Sequence, residues 1–432
     1  MSFEADVVVV GSGPGGATVA RGLARGGKRV VLLERGIDHR SRPWYGTHLG
    51  GMLYTERGGF LFAREGLTVI RPLMVGGATS MYCGCAAPPP PWLRERYGID
   101  LEPYVSETVA ELGVAPLPAP LRGAASTNLA KAAGAIGYEF EPQAKFVAPA
   151  RAGSFDCSAA CMLGCRCGAK WSAAEYVDDA IAAGAVLRTR AHVARVAVED
   201  GHAAGVTGVL AGRPFRARAP VVVVAAGGLG TPGILRASGL AGAGRGLATD
   251  TTVIVYGVGR GRGNGLEPPM TWSCESPEEG LMLSTLVDPW LLYPLAAARA
   301  GWGHVPSWPR WRSLLGVMIK LKDEVSGGVL PDGSISKPLT ELDRDRLRHG
   351  EEAARRILGE AGADPATFFT SALRGTHPSA TVRVGTMLDA RLCTEIAGLY
   401  VCDASVFPEA LGRPTVLTIV ALGKRLAADL LA

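Results

Sequence analysis

Two sets of residues in this 432-residue chain have the types and spacing to do chemistry. The first is Gly11, Gly13 and Gly16, a G-x-G-x-x-G spacing between the apolar run Val7 to Val10 and a helix-forming stretch. The first glycine permits a tight turn, the second lets backbone approach a pyrophosphate, and the third lets helix and strand pack closely. Pro14 and Gly15 complete the loop, and the amino end of the following helix faces the phosphate charge. Glu34 ends the next strand about 20 residues on, where a carboxylate accepts from ribose hydroxyls. That acid disfavours a 2′-phosphate, and so NADP; the motif itself serves NAD and FAD equally. The second set is Cys157, Cys161, Cys165 and Cys167, four thiols within eleven residues. On a helix the first three fall at i, i+4 and i+8 and share one face, and Gly164 and Gly168 then break it and fold the fourth sulfur back. Four thiolates can hold an iron–sulfur cluster or zinc. The spacing is neither a ferredoxin run nor a C-x-x-C pair, so no metal is assigned. An iron–sulfur cluster at these four cysteines stands as the alternative.

The elements that position these residues follow from patterning. VVVVGSGPGGATVARGLARGGKRVVLLERG reads as strand, glycine turn, helix, strand, the β-branched run suiting a strand covered on both faces. APVVVVAAGGLGTPGILRASGL repeats the plan, with a helix expected to begin near Thr231-Pro232. WSAAEYVDDAIAAGAVLRTRAHV gives helix then strand. The carboxyl end gives a strand at Leu399–Cys402 and a terminal helix from about Thr415. The fold class is therefore α/β. A net charge of +5 spread over the chain argues against nucleic acid. No signal-peptide pattern and no long apolar run appear, so a cytoplasmic location is expected. The nine cysteines then read as thiols, ligands or reactive groups rather than disulfides.

Four segments together resemble the glucose–methanol–choline (GMC) family of FAD oxidoreductases. They are the amino-terminal fingerprint, Val75-Gly76-Gly77-Ala78-Thr79-Ser80, Gly227 to Leu240, and His377-Pro378 through Ile419. The resemblance leaves out the region from about 250 to 370. It implies a Rossmann-like FAD-binding domain, with Arg35, Val193, Ala226 and Gly227 joining the fingerprint around the cofactor. Asp403, followed by Ala404, falls where the family contacts the ribityl chain. The flavin ring is expected between the loop of Gly76, Gly77, Thr79 and Ser80 and the last helix. That helix, entered through Pro414, Thr415 and Val416, would point N–H groups at flavin O2.

By the same resemblance, His377 is the base or hydrogen-bond donor that faces flavin N5 and orients the substrate. An imidazole suits the task because its ordinary pKa lies near neutrality. The family's second position, Asn or His, falls here on Pro414, whose side chain can neither donate nor accept. Arg413 is adjacent and can replace it by a small shift or bind an acidic group. The departure admits chemistry at a C=C bond with Tyr82 or His377 as proton donor, or a non-redox lyase of the same fold. The leading expectation is a dehydrogenase or reductase acting on CH–OH or CH–CH groups.

The middle of the chain mixes turn signals and apolar runs. Pro331-Asp332-Gly333 reads as a hairpin turn, and LDRDRLRHGEEAARRILGEAG as an amphipathic helix ended by Gly362. An antiparallel sheet is expected here, with helices as a roof over the flavin. The expected domains are 1–110, 165–250 and 376–432 for FAD, and 111–164 and 251–375 for a discontinuous α+β substrate domain with a cysteine-rich lid. Four tryptophans between Trp290 and Trp311 suggest an apolar channel or a peripheral membrane contact. The expected partners are an apolar or partly apolar small molecule and a separate electron acceptor or donor.

Overall fold

The computed structural model describes residues 1–276 and 278–432. Val7 to Val10 are buried without exception, the condition for a strand inside a parallel sheet. They form β1 (Val7–Val10), followed by α1 (Pro14–Arg25), β2 (Val30–Leu33), α2 (Ala173–Ala182), β3 (Val186–Arg188) and β4 (Val221–Val224). Then come α3 (Gly227–Ala237) and, at the carboxyl end, β5 (Leu399–Val401) and α4 (Val416–Leu431). The five strands pair in parallel in the order β5-β4-β1-β2-β3. The chain thus leaves β1 in opposite directions across the sheet, and such switch points are where α/β sheets bind ligands. Helix α1 packs between α2 and α4. Gly22 brings α1 and α4 together, since a Cβ there would lie 2.6 Å from that of Ala427.

Helix α3 begins earlier than its sequence suggests: it starts at Gly227, and Pro232 lies inside it. An interior proline leaves the carbonyl four residues back without its helical donor. Here Thr381 Oγ1 donates to Gly228 O at 2.8 Å, so that acceptor is paired from outside the helix.

A nine-stranded, mainly antiparallel sheet forms the second layer system. Its central strands, Thr251–Val258 and Leu314–Leu321, pair antiparallel and are buried at every residue. Alternation sorts their side chains to two faces. Val253, Val255, Val317 and Ile319 pack against the helices Ala124–Ala135 and Glu341–Glu360. Ile254, Tyr256 and Met318 turn the other way, into a cluster with Cys83, Cys85 and Met162. These two helices therefore lie behind the sheet, while the shorter helix Tyr293–Ala300 packs Tyr293 and Ala297 into the cluster on its cysteine-bearing face. The physical reason is the apolar stripe of Glu341–Glu360, which matches one face of the sheet and leaves its charges outside. The turn at Pro331–Gly333 joins antiparallel strands Ser326–Val329 and Ile335–Ser336, and the charged helix ends before Gly362. The small hairpin Leu61–Phe62 and Thr68–Val69 adds an edge to the nine-stranded sheet. Among the described residues no helix is long and apolar enough to cross a membrane.

Candidate active site

The three glycines of the first loop have different neighbours. A Cβ at Gly11 would lie 2.2 Å from Ala225 O, and one at Gly16 would lie 2.0 Å from Gly11 O. A Cβ at Gly13 meets nothing within 4 Å. Two of the glycines therefore serve packing, and the third borders open space where a ligand can approach. The amino end of α1 behind it has no side-chain cap and no acid in its first turn, which suits a pyrophosphate. Glu34 is buried, accepting from Ser12 N at 3.0 Å, Ser12 Oγ at 2.6 Å and Gly36 N at 2.7 Å. Arg35 pairs with Glu56. Val193 is a buried strand residue, and Ala226 N donates to Thr231 Oγ1 at 3.0 Å.

The second glycine loop abuts the first. Gly76 and Gly77 have φ of 88° and 53°, and a Cβ at Gly77 would lie 3.0 Å from Gly13 Cα. Gly76 N donates to Ser12 Oγ at 3.3 Å, and Thr79 Oγ1 accepts from Ala173 N at 2.9 Å. Ser80 Oγ donates to Val75 O at 3.3 Å. From the carboxyl end, Asp403 caps the turn Ala404–Val406. It also ties that turn to α3, accepting from Gly227 N at 2.8 Å and from Thr231 Oγ1. Burial pushes its pKa up, and these bonds oppose the shift. Among the described residues, Thr415, the N-cap of α4, makes no side-chain capping bond, and the buried Oγ1 of Thr418 and Oγ of Ser405 have no partner. An uncapped helix end with the unpartnered Thr418 hydroxyl in its first turn, and open space at Gly13, together fit FAD.

His377 Nδ1 lies 2.7 Å from Asp250 Oδ2. The carboxylate fixes the tautomer: Nδ1–H donates to it and Nε2 is left as the acceptor. Asp250 is 1% exposed and has φ of 45°, a costly conformation held by its neighbours. Its Oδ1 accepts from Gly412 N at 3.0 Å, and its own N–H donates to Asp323 Oδ1 at 3.1 Å. Asp323 accepts further bonds from Thr249 and Thr251 and pairs with buried Lys337 at 3.3 Å. The His377 side chain keeps 24% of its surface exposed, so the ring is not sealed into the core. Desolvation and the charge of Lys320 push its pKa below 6.5, against the pull of Asp250.

Lys320 occupies the sheet face that carries Met318 and is 2% exposed. Its ammonium donates to Thr376 Oγ1 at 2.6 Å, on the residue before His377. Burial lowers its pKa, opposed chiefly by Asp250, Cys83 and Cys85. The sequence reading missed both Asp250 and Lys320. Each is a charge in or beside an otherwise buried strand, and buried charges are rare enough to have served as a signal.

Other expected residues are engaged elsewhere. The Tyr82 hydroxyl donates to Trp171 O at 2.9 Å, and burial raises its pKa; the geometry gives its role as proton donor no support. Arg413 pairs with Glu275 at 2.9 Å and does not take the place of Pro414. The cysteine segment does not form the expected helix. Ser158 caps a short 3-10 turn, Ala159–Leu163, and Gly164 at φ 142° ends it. The three sulfurs therefore share no helical face, and among the described residues no three His, Cys, Asp or Glu side chains are placed to hold a metal. Among the described residues, all nine cysteines are free of disulfides. Cys165 and Cys167 lie with sulfurs 3.8 Å apart. Lys170 staples this segment to the loop that follows Gly76, donating to Cys161 O and Tyr82 O, both at 2.7 Å, and to Ser80 O at 3.4 Å.

Known proteins resemble this chain in sequence and in fold. The GMC oxidoreductase description matches residues 55–260 and, in its carboxyl-terminal part, residues 329–423; an FAD binding domain matches residues 6–72. An uncharacterised GMC-type oxidoreductase of Mycobacterium tuberculosis is 35% identical over 263 residues, covering 55% of this chain and 40% of that protein. A long-chain-alcohol oxidase of Arabidopsis thaliana is 24% identical over 96% of this chain and 66% of its own length. The chain thus spans less than two thirds of these curated relatives. The formate oxidase structure from Aspergillus oryzae matches the fold with a TM-score of 0.74 at 17% identity, covering 100% of this chain and 98% of that one.

Proposed function

Because the chain belongs to the GMC oxidoreductase family and is an FAD-dependent oxidoreductase, we propose that it oxidises a CH–OH group of a small, largely apolar molecule. The observation that carries this reading is the 2.7 Å contact between His377 Nδ1 and Asp250. It leaves Nε2 of a neutral imidazole to take the hydroxyl proton. As the O–H bond breaks, the charge arriving on the ring is stabilised by Asp250. The Lys320 ammonium, on the same wall, stabilises negative charge developing on the substrate oxygen, a service Pro414 cannot supply. FAD, when bound, accepts the hydride that leaves the carbon as the carbonyl forms. The uncapped amino end of α4, at Thr415 and Val416, offers N–H donors and the positive end of its dipole to the flavin ring. The electrons are read as passing on to a separate acceptor.

The test is anaerobic mixing of the holoenzyme with primary alcohols of increasing chain length, following loss of oxidised-flavin absorbance. Longer, more apolar alcohols should react faster. His377→Asn and Asp250→Asn should each slow the reaction by about 100-fold or more while keeping bound flavin. If no alcohol discharges the absorbance, or if His377→Asn reacts at the wild-type rate, the reading fails.

A further inference from the structure

We propose that the exposed apolar face built by residues 48–70 and 289–302 docks on an anionic lipid surface, one short helix away from the flavin loop. The helix His48–Leu53 shows why. Leu49, Met52 and Leu53, at i, i+3 and i+4, are all exposed, whereas Gly50 and Gly51 are buried. Its apolar stripe therefore points outward, the reverse of a helix that serves only the core. Phe60, Phe62 and Ile70 continue the same exposed character along the next turns and the edge hairpin.

The tryptophan segment adjoins this surface. Leu291 N donates to His48 Nε2 at 3.3 Å. Arg299 donates to Gly66 O at 2.8 Å and stacks 5.0 Å over the Phe62 ring. Trp290, Leu295 and Trp302 extend the patch outward, Trp302 with 81% of its surface open. Their anchorage is firm: Trp311 Nε1 donates to Asp288 O at 2.9 Å, and the Asp288 carboxylate is held by Arg374 and Tyr256. A contiguous exposed apolar surface of this kind marks an interaction site.

Charge selects the occupant. Residues 48–70 and 289–302 carry the exposed Arg57, Arg64 and Arg299, and the second stretch has no carboxylate. The two acids on the neighbouring stretch are already engaged, Glu56 by Arg35 and Arg71 and Glu65 by Ser336 and Lys337 N. Exposed Trp, Phe and Leu with a basic rim match the composition of surfaces that enter the headgroup region of anionic bilayers. The inner side of the same helix approaches the flavin loop. A Cβ at Gly51 would lie 3.2 Å from Leu163 of the cysteine segment and 4.0 Å from Met81, which follows Ser80. An apolar substrate leaving a bilayer at this face would need to pass only that helix.

Flotation of the holoenzyme with vesicles of phosphatidylcholine, or of equal parts phosphatidylcholine and phosphatidylglycerol, tests the assignment. Binding to the mixed vesicles is expected, with a blue shift of tryptophan emission and loss at high salt. Trp302→Ser and the pair Met52→Ser, Leu53→Ser should each weaken binding by about tenfold or more. Because these side chains are exposed, flavin content and Tm should stay at wild-type values. Absence of vesicle binding, equal binding to both vesicle types, or binding unchanged in the variants overturns the proposal. So does a concentration-dependent dimer that the same substitutions dissolve without any vesicle binding, an outcome that assigns the face to a second copy of the chain.

Discussion

An imidazole buried between an ammonium and a carboxylate feels opposed fields. At His377, desolvation acts first and Lys320 second, both favouring the neutral ring, while Asp250 favours the charged one. Acting as a base requires the ring to be neutral, so activity should fall as pH drops through a pKa lying below the ordinary 6.5. Lys320 must instead stay protonated, and its pKa lies below the ordinary 10.5. A kcat/KM profile should therefore be a bell whose alkaline limb belongs to Lys320. In Lys320→Met that limb should vanish, and the acid limb should move upward because the repelling charge is gone. An alkaline limb that survives the substitution would remove Lys320 from the site. The family resemblance of the segment around it made His377 visible in the sequence as a candidate. Its partner was not visible, because Asp250 stands 127 residues away and meets the ring only through a left-handed backbone conformation.

The loop between β1 and α1 makes one motif do two jobs, and substitution can separate them. Gly15 packs against β5, where a Cβ would lie 1.8 Å from Cys402 O. Gly15→Ala should therefore destabilise the fold itself by about 1–3 kcal/mol or more, read as a lower denaturant midpoint even without flavin. Gly13 has φ of −67° and open space before it. Gly13→Val should leave the stability of the flavin-free protein near wild type and weaken FAD binding, measured by fluorescence titration. Equal effects of the two substitutions on the flavin-free fold would contradict this division. The spacing of these glycines was readable because each answers a local steric demand. The cysteine segment was misread because helical periodicity ignores what Ser158 and Gly164 do to the backbone, and because Lys170 draws the segment onto a loop about 90 residues away.

Across the whole molecule, the proposed cofactor site draws on the stretches 11–34, 76–80 and 403–418, which meet only in the fold. FAD that binds this assembly and not the unfolded chain stabilises it by mass action, about 2.7 kcal/mol at a hundredfold excess over Kd. Removing the flavin should lower Tm, and added FAD should restore it in a concentration-dependent way; a Tm indifferent to FAD would place the cofactor outside the folding equilibrium. The sequence by itself determined the α/β class, the glycine loop and a dinucleotide as cofactor, because strand burial, close backbone approach and helix-end polarity are set by neighbours within a few residues. Only the tertiary structure decided that Asp250 orients His377, that Lys320 reaches the residue before it, and that a short helix turns its apolar stripe outward. These depend on which faces of distant segments meet, and a side-chain period fixes the faces without naming the partner.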